Sequence, residues 1–312
     1  MLALTFPGQG SQFVGMGRDL ANSYPESRAV FDEVNEALNQ KLSALMWEGD
    51  ENELKLTANA QPALMSVSLA VIKALESKGF QVKNSEFVAG HSLGEYSALA
   101  AAHSLSIFDT ARLLRIRGNA MQEAVPVGLG AMAAIIGLQE EKLELICELV
   151  SSSSLSCQIA NDNGGGQLVI SGNKLSVDKA CEMAREYGAK QVLLLPVSAP
   201  FHSSLMEPAA QIMAEALEKI SINPTIVPLI SNVSAKPISD PDDIKKRLVE
   251  QVTGRVRWNE SIRFMCSKGI RHIWEIGPGK VLSRLIRRID HQIETRTIGD
   301  SDDINQALKS IS

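Results

Sequence analysis

Apolar positions along the chain follow two spacings, and together they predict strands that alternate with helices. Leu2–Phe6 is a short apolar run ended by a Pro-Gly turn, and Phe87–Ala89 runs directly into Gly90, so both runs predict buried strands. The remaining elements are predicted as helices over 26–40, 62–78, 93–102, 109–124, 204–219, 241–251 and 280–289 and strands over 226–231 and 270–276. This alternation predicts an α/β fold built on a largely parallel sheet.

The middle of the chain follows a different order of elements. The predicted elements there are, in order, strand Ala131–Ile136, helix Glu140–Val150, strand Ser156–Ala160, strand Leu168–Ser171, helix Ser176–Tyr187 and strand Gln191–Val197. The order βαββαβ is the ferredoxin-like pattern. We therefore predict a small ferredoxin-like domain at 127–198, inserted into a large domain formed by 1–126 and 199–312. The two crossings, at Val125–Gly128 and Ser198–Pro200, leave a cleft between the domains.

Composition and charge narrow the class of protein. The 312 residues are 45% hydrophobic with a net charge of −5, which allows a substantial core and disfavours a nucleic-acid partner. The four cysteines are scattered without a C-x-x-C pair, so neither a metal site nor a disulfide framework is predicted. The N-terminus lacks the features of a signal peptide, and no apolar run is long enough to span a bilayer. We expect a soluble, cytoplasmic protein.

The stretch Gly90-His91-Ser92-Leu93-Gly94 matches the G-x-S-x-G pattern of a nucleophile elbow. A strand is predicted before it and a helix after it, and the glycines are needed because the turn has no room for Cβ atoms beside a strained serine. The start of the helix offers free N–H groups, notably that of Leu93, to an oxyanion. The pattern predicts Ser92 as a nucleophile, and an ordinary glycine-rich turn is the alternative.

A serine nucleophile needs a base, and the chain contains five histidines. His202 lies in a loop at the predicted domain crossing, where a cleft residue is expected, so it is the candidate base. His91 adjoins the serine but is expected to point away from it across the elbow. The other three are expected to have core or surface roles: His103, His272 and His291.

The glycine-rich loop Phe6–Gln12 follows the first predicted strand. It does not match G-x-G-x-x-G, because Phe13 stands where the third glycine is required, so a dinucleotide site is not predicted. The loop is better interpreted as one that offers backbone N–H groups to an anion, with a plain turn as the alternative.

The helix predicted over 109–124 carries an arginine in the middle of its apolar face. At 100° per residue, Arg117 lies among Leu113, Ala120, Met121 and Ala124. A buried guanidinium needs a carboxylate or several carbonyls, because an unpaired buried charge is very costly. Two partners fit this requirement: an internal salt bridge, or the carboxylate of a substrate held by the planar fork.

A helical spacing near the C-terminus places four cations on one face, opposite an apolar face. They are Lys280, Arg284, Arg287 and Arg288. Such a face is either simply solvated or, on an acidic protein, a docking surface for an acidic partner.

Seven motifs in this order strongly resemble the malonyl-CoA:acyl carrier protein transacylases of bacterial fatty acid synthesis. They are FPGQGSQ, GHSLGEYSAL, RGNAMQEA, IANDNGGGQLVISG, VSAPFHS, VEQVTGRVRW and EIGPGKVL, and they extend from residue 6 to about residue 282. The resemblance implies an α/β-hydrolase-like large domain with a ferredoxin-like insertion. It also implies transfer of a malonyl group from malonyl-CoA, through a malonyl-serine, to the phosphopantetheine thiol of acyl carrier protein, with no cofactor or metal held by the chain.

The resemblance also assigns roles to individual positions. It implies Ser92 as nucleophile, His202 as base and Arg117 as ligand of the malonyl carboxylate. Backbone N–H groups of Gln9 and Leu93 would form the oxyanion hole, and Gln251 would orient the histidine through a backbone carbonyl. Four further residues are expected to line the substrate cleft: His91, Asn161, Gln167 and Phe201.

One departure from the family pattern concerns the run after Gln251. Many relatives have a Tyr-Asn-Pro-like run there, whereas this chain has Thr253-Gly254-Arg255, so the shape of this loop is not predicted. Phe201 resembles the residue of malonyl-selective members, in which a bulky ring would crowd an α-methyl branch. Three other functions stay open: a serine thioesterase or hydrolase, a non-catalytic subunit that docks a carrier protein, and an acyltransferase of a polyketide pathway.

Overall fold

The computed structural model describes residues 1–197 and 199–309, and it has a mixed α/β fold with two sheets. Ser198, predicted to lie at a domain crossing, and the last three residues of the predicted large domain lie outside the described residues. The strands are β1 (Leu2–Phe6), β2 (Phe87–Gly90), β3 (Gly130–Ile136), β4 (Cys157–Asp162), β5 (Gln167–Asn173), β6 (Gln191–Leu194), β7 (Leu229–Ile230), β8 (Pro237–Ile238), β9 (Val256–Arg257), β10 (His272–Ile276) and β11 (Glu294–Ile298).

The helices surround both sheets. They are α1 (Arg18–Ser23), α2 (Pro25–Leu38), α3 (Leu42–Glu48), α4 (Glu51–Lys55), α5 (Thr57–Ser77), α6 (Gly94–Ala101), α7 (Ile107–Glu123), α8 (Glu140–Val150), α9 (Lys174–Glu186), α10 (Glu207–Glu218), α11 (Pro241–Thr253), α12 (Trp258–Ser267), α13 (Val281–Ile289) and α14 (Ser301–Lys309). No helix in the part of the chain that the structure describes is long and apolar enough to cross a membrane.

The first sheet has the strand order β11-β10-β1-β2-β7-β8 and is parallel except for its last pair, as the sequence predicts. The central strands β1 and β2 are almost completely buried, which explains their continuous apolar runs. Because Phe6 pairs with Gly90, these two strands end side by side. The loop after β1 and the turn after β2 therefore lie next to each other at one edge of the sheet.

The second sheet has the order β6-β3-β5-β4-β9. Successive side chains of β3 point to opposite faces of this sheet. Ala133 and Ile135 pack under α8 and α9, whereas Met132 and Ala134 belong to the main core. The edge strand β9 comes from Val256–Arg257, far from the predicted insertion, and pairs in parallel with β4. The C-terminal part of the chain therefore completes the second sheet.

Helix α5 begins at Thr57, five residues before its predicted start, and contains Pro62. Proline lacks an N–H and is disfavoured at an interior position of a helix. Burial overrides this preference, since nearly every residue of α5 is buried. Helix α7 approaches it closely at Gly118, where a Cβ atom would lie 2.5 Å from the Cα atom of Ala58. This contact places Gln61 of α5 beside Arg117 of α7.

Two predicted strands are shorter than expected, and prolines explain both. The strand predicted over 191–197 ends at Leu194, because Pro196 has no N–H for the ladder. The strand predicted over 226–231 consists only of Leu229–Ile230, directly after Pro228. The other predicted elements form within a few residues of their expected ends, and Glu140–Val150 has its predicted bounds.

Candidate active site

The turn between β2 and α6 holds Ser92 in a left-handed backbone conformation, with φ of 55°. A Cβ atom on Gly90 would lie 1.9 Å from the carbonyl carbon of Gly94, and one on Gly94 would lie 2.2 Å from the carbonyl oxygen of Phe6. Only glycine fits at either position. The turn therefore has the geometry of a nucleophile elbow, with the serine at its tip.

The structure brings Ser92 and His202 together across 110 positions of sequence. The Oγ atom of Ser92 lies 2.8 Å from Nε2 of His202. On the other side of the ring, Nδ1 lies 2.8 Å from the carbonyl oxygen of Gln251 and 3.2 Å from that of Gly254. Carbonyl oxygens only accept hydrogen bonds, so Nδ1 carries the proton and the lone pair of Nε2 faces the serine.

The imidazole of His202 is held neutral. Burial and the nearby charge of Arg117 lower the pKa of His202 to about 3, and the two carbonyl acceptors oppose this shift only in part. A neutral imidazole with a free Nε2 can accept the proton of the serine hydroxyl when that oxygen attacks.

The low pKa of His202 makes the stability of the fold depend on pH. An unfolded imidazole has a pKa of about 6.5, so between pH 6.5 and 3 the unfolded state binds more protons and stability falls as the pH falls. This contribution is about 2 kcal/mol between pH 7 and pH 5. We expect His202→Gln to lack it when the free energies of unfolding in urea are compared at each pH. Parallel pH profiles for the two proteins would contradict the shift.

Arg117 is 1% exposed and directs its guanidinium at the serine. Its Nη2 atom lies 3.1 Å from Ser92 Oγ and 2.8 Å from Oε1 of Gln251, and its Nη1 atom lies 2.7 Å from Oε1 of Gln61. Within residues 1–197 and 199–309, no carboxylate forms an ion pair with Arg117, and its Nε–H has no partner. Amide oxygens therefore take the place of the internal salt bridge that the sequence left open.

The two backbone groups expected to form the oxyanion hole come from two different segments of the chain. Leu93 opens α6, and Gln9 lies in the loop after β1, which packs so tightly that a Cβ atom on Gly8 would lie 2.7 Å from the carbonyl oxygen of His91. In the described ranges, neither backbone N–H donates to a protein acceptor. Both residues line the cavity in front of Ser92.

A cavity of about 610 Å³ opens between the two sheets and contains the elbow. It is lined by nine of the ten residues predicted for the site: Gln9, His91, Ser92, Leu93, Arg117, Asn161, Gln167, Phe201 and His202. The tenth, Gln251, is completely buried behind Arg117 and His202. Such a volume accommodates a small-molecule ligand.

His91 does not contact the serine hydroxyl, which agrees with the expectation that it points away. Its Nε2 atom lies 2.9 Å from Oδ1 of Asn163, and burial lowers its pKa. His103 and His272 lie half exposed beside Glu76 and Glu294.

The four cationic residues predicted to share one face at α13 are all exposed, but they do not all border the cavity. Arg284 and Arg288 line the cavity, together with Lys55. Arg287 instead donates from Nε to Oγ1 of Thr295, 2.8 Å away. Lys280 lies at the start of the helix. Only half of the predicted docking face therefore borders the cleft.

Sequence reasoning did not find three polar residues that surround the elbow: Gln61, Glu95 and Asn232. Oδ1 of Asn232 accepts the backbone N–H of Ser92 at 2.8 Å, and its Nδ2 donates to the carbonyl oxygen of Gly90 at 2.6 Å. Glu95 accepts the backbone N–H of Asn232 at 3.0 Å. The sequence signal for one of them is that Glu95 is the single charged residue of the helix predicted over 93–102.

The segment whose shape was not predicted, Thr253-Gly254-Arg255, joins the end of α11 to strand β9 of the second sheet. Gly254 supplies the second carbonyl acceptor of His202. Nη1 of Arg255 forms an ion pair at 2.6 Å with Glu140, at the start of α8. The residues that orient the imidazole are therefore tied to the helix that covers the second sheet.

All four cysteines are free thiols. The described residues contain no group of three or more His, Cys, Asp or Glu side chains that could hold a metal ion.

Comparisons with known proteins cover nearly the whole chain. Residues 4–301 match the family model described as acyl transferase domain. The malonyl CoA-acyl carrier protein transacylase of Bacillus subtilis (strain 168) is 46% identical over 310 residues, which are 99% of this chain and 97% of that protein. The crystal structure of acyl-carrier-protein-S-malonyltransferase from Bartonella henselae superposes on this chain with a TM-score of 0.97. The two chains are 56% identical in sequence, and the match covers 99% of each.

A further solved structure contains a partner. It is described as a type II PKS acyl-carrier protein in complex with its malonyl-transacylase, PlMCAT:AntF. This chain is 39% identical to the matched chain with a TM-score of 0.95, and the match covers 99% of both.

Proposed function

The chain belongs to the acyl transferase family as a malonyl-CoA:acyl carrier protein transacylase, and we propose that Ser92 and His202 carry out its reaction in two steps. In the first step, Ser92 Oγ attacks the thioester carbonyl of malonyl-CoA while Nε2 of His202 takes the hydroxyl proton. The N–H groups of Gln9 and Leu93 hold the tetrahedral oxyanion. The C–S bond then breaks, CoA leaves with the proton from His202, and a malonyl ester remains on Ser92.

The second step repeats this chemistry with a different nucleophile. The phosphopantetheine thiol of acyl carrier protein gives its proton to His202 and attacks the ester. The bond to Ser92 Oγ breaks, His202 returns the proton to that oxygen, and malonyl-carrier protein is released to supply fatty acid synthesis. The kinetics are therefore ping-pong.

The observation that carries the proposal is the position of Arg117. Its Nη2 atom lies 3.1 Å from the nucleophilic oxygen, and no carboxylate in the described residues pairs with it. In a malonyl group the free carboxylate is one methylene away from the carbonyl that the serine attacks. Arg117 can therefore hold this carboxylate while Ser92 reacts, whereas a hydrolase of simple esters has no use for the cation.

One residue of the cavity lining supports a preference between malonyl and methylmalonyl groups. Phe201 is 8% exposed and lines the cavity with His202. Its ring limits the space beside the acyl group, so we propose that malonyl is accepted in preference to methylmalonyl. We assign Asn161, Gln167 and His91 to the same lining, with no direct part in proton transfer.

We propose that the first sheet belongs to an α/β-hydrolase-like domain formed by 1–126 and 199–312, and that 127–198 is a ferredoxin-like insertion. The strand order β6-β3-β5-β4, with α8 and α9 packed on one face, supports this assignment. Strand β9 then crosses the boundary, so the large domain supplies one edge strand to the insertion.

The partner is an acyl carrier protein, and the position of its docking surface is part of the proposal. Arg284 and Arg288 border the cleft and are exposed, which suits an acidic partner whose thiol must reach Ser92. Lys280 and Arg287 do not line the cavity. We place the reaction in the cytoplasm, in line with the sequence expectation.

The proposal is tested by following the acyl group. Brief exposure to malonyl-CoA should add one malonyl group to the intact protein by mass spectrometry, and Ser92→Ala should not acquire it. The adduct should transfer to holo-acyl carrier protein faster than it is released as free malonate. Release to water at the same rate would indicate a hydrolase instead, and absence of any adduct on the unmodified protein would indicate a non-catalytic docking subunit.

A further inference from the structure

A fully buried carboxylate lies next to the elbow and has no part in the two steps above. Glu95 is 0% exposed and occupies the first turn of α6. One carboxylate oxygen accepts the backbone N–H of Asn232 at 3.0 Å, and the other accepts a short hydrogen bond from Nε2 of Gln251. Burying such a group is costly, so its partners must make up for lost hydration.

The partners of Gln251 permit only one orientation of its side-chain amide. Nε2 faces two acceptors, Glu95 and the carbonyl oxygen of Ser92, the latter at 2.9 Å. Oε1 is therefore left to accept from Nη2 of Arg117 at 2.8 Å. If the amide rotated by half a turn, its oxygen would face a carboxylate and its NH₂ group would face a cation.

The arrangement is a buried pair of opposite charges with an amide between them. The positive end of the Gln251 amide dipole faces Glu95 and its negative end faces Arg117, so the amide strengthens the attraction between them. A direct contact would instead occupy the guanidinium with a protein carboxylate. The inserted amide keeps Arg117 balanced in charge while leaving N–H groups for another anion.

Gln61 also accepts a hydrogen bond from the Arg117 guanidinium, and its amide is likewise oriented by a second partner. Its Nε2 donates to Oγ1 of Thr57 at 2.9 Å, which leaves Oε1 for Nη1 of Arg117 at 2.7 Å. Gln61 and Gln251 therefore clamp the cation from two helices. In the described part of the chain, a buried carboxylate is hydrogen-bonded to Gln251 but none is hydrogen-bonded to Gln61.

We propose that Glu95 is a positioning residue for acyl-group selection, which acts through Gln251 to hold Arg117 where it receives the carboxylate of the acyl group. This inference rests on the proposed function, since it requires that Arg117 binds malonyl. Burial raises the pKa of Glu95, and the hydrogen bonds from Asn232 and Gln251 and the charge of Arg117 oppose this rise, which leaves the pKa at about 7. The same contacts that orient the amide therefore favour the ionised form.

The variant Glu95→Gln tests the proposal because glutamine has the shape of glutamate but replaces one accepting carboxylate oxygen by an NH₂ group that donates hydrogen bonds. Its oxygen can still accept from Asn232, but its NH₂ group then faces Nε2 of Gln251 and reverses the Gln251 amide. We expect the ratio of malonyl to acetyl kcat/KM to fall by about 10- to 100-fold, which corresponds to loss of one hydrogen bond to a charged group. Acetyl transfer should fall much less than malonyl transfer.

A matched control separates positioning from stability. Glu275 is also a fully buried carboxylate, and it accepts two backbone N–H groups at the start of α13, at 2.9 and 2.8 Å. Glu275→Gln should lower the Tm without changing the malonyl-to-acetyl ratio. If Glu95→Gln lowers transfer of both acyl groups equally, the residue is merely structural and the proposal is overturned.

Two more variants keep the proposal testable. In an Arg117→Ala background, Glu95→Gln should leave the ratio unchanged, and a further fall would overturn the relay through Arg117. If Glu95→Gln does not fold, the exchange variant Glu95→Gln/Gln251→Glu retains the net charge and places a carboxylate directly on Arg117. It should lose malonyl preference, and a ratio at the original level would overturn the proposal. Failure of the unmodified protein to transfer malonyl would instead contradict the proposed function.

Discussion

Replacing Arg117 by alanine is expected to lower kcat/KM for malonyl transfer by about 10²- to 10⁴-fold, while acetyl transfer is kept or rises. The variant loses two hydrogen bonds between charged groups, each contributing about 1.5–3 kcal/mol. Acetyl has no carboxylate to lose, and the variant no longer buries a cation among amides. Transfer of both acyl groups to acyl carrier protein, measured side by side, checks this result.

An arginine on the same helix supplies the control for this experiment. Arg112 is exposed, and its guanidinium lies over the ring of Phe108 at 5.8 Å, away from the cavity. Arg112→Ala should leave both rates unchanged. Equal losses of malonyl and acetyl transfer in Arg117→Ala would refute the carboxylate role, because they would show that the cation serves the chemistry common to both groups.

Replacing His202 by alanine is expected to lower both half-reactions by about 10²- to 10⁴-fold, the usual contribution of a general base. In the proposed mechanism the same Nε2 atom accepts the serine proton in the first step and the thiol proton in the second, so both steps should slow. Rapid-mixing mass spectrometry separates them, since it follows the appearance of malonyl-Ser92 with malonyl-CoA and its loss on addition of holo-carrier protein.

His103 makes a suitable control for the His202 variant. It also has a left-handed backbone, with φ of 59°, but it lies on the surface beside Glu76. His103→Ala should keep both rates, which would show that removing a histidine from a left-handed position does not by itself slow the reaction. Slowing of only one half-reaction in His202→Ala would mean that a second group serves as base in the other.

The parts of the site that depend on local geometry were predictable from the sequence. Gly90 and Gly94 flank the serine because their neighbours leave no room for a side chain, and the motif states this requirement directly. The apolar spacing of α7 likewise predicted burial of Arg117. This spacing did not identify the residues that hydrogen-bond to Arg117, because Gln61 and Gln251 lie 56 and 134 positions away in sequence.

Features that depend on tertiary packing, such as the start of α5 and the strand β9, were not predicted from the sequence. Helix α5 continues through Pro62 because burial of its whole length outweighs one missing hydrogen bond. Strand β9 has only two residues and forms because β4 offers a free edge. Asn232 carries no periodic signal at all, since its role depends on where β7 ends beside the elbow. His202 was the candidate base because of its place at the predicted domain crossing, and the resemblance implied the same role, but no local pattern identified it.

Ser92 and His202 share a left-handed backbone, each with φ of 55°. For residues other than glycine this conformation costs roughly 1–2 kcal/mol, so the two residues proposed to react both have a strained main chain. Selection for heat resistance alone would favour glycine at both positions and would erase the activity. The enzyme therefore retains a local weakness in its scaffold because turnover depends on it.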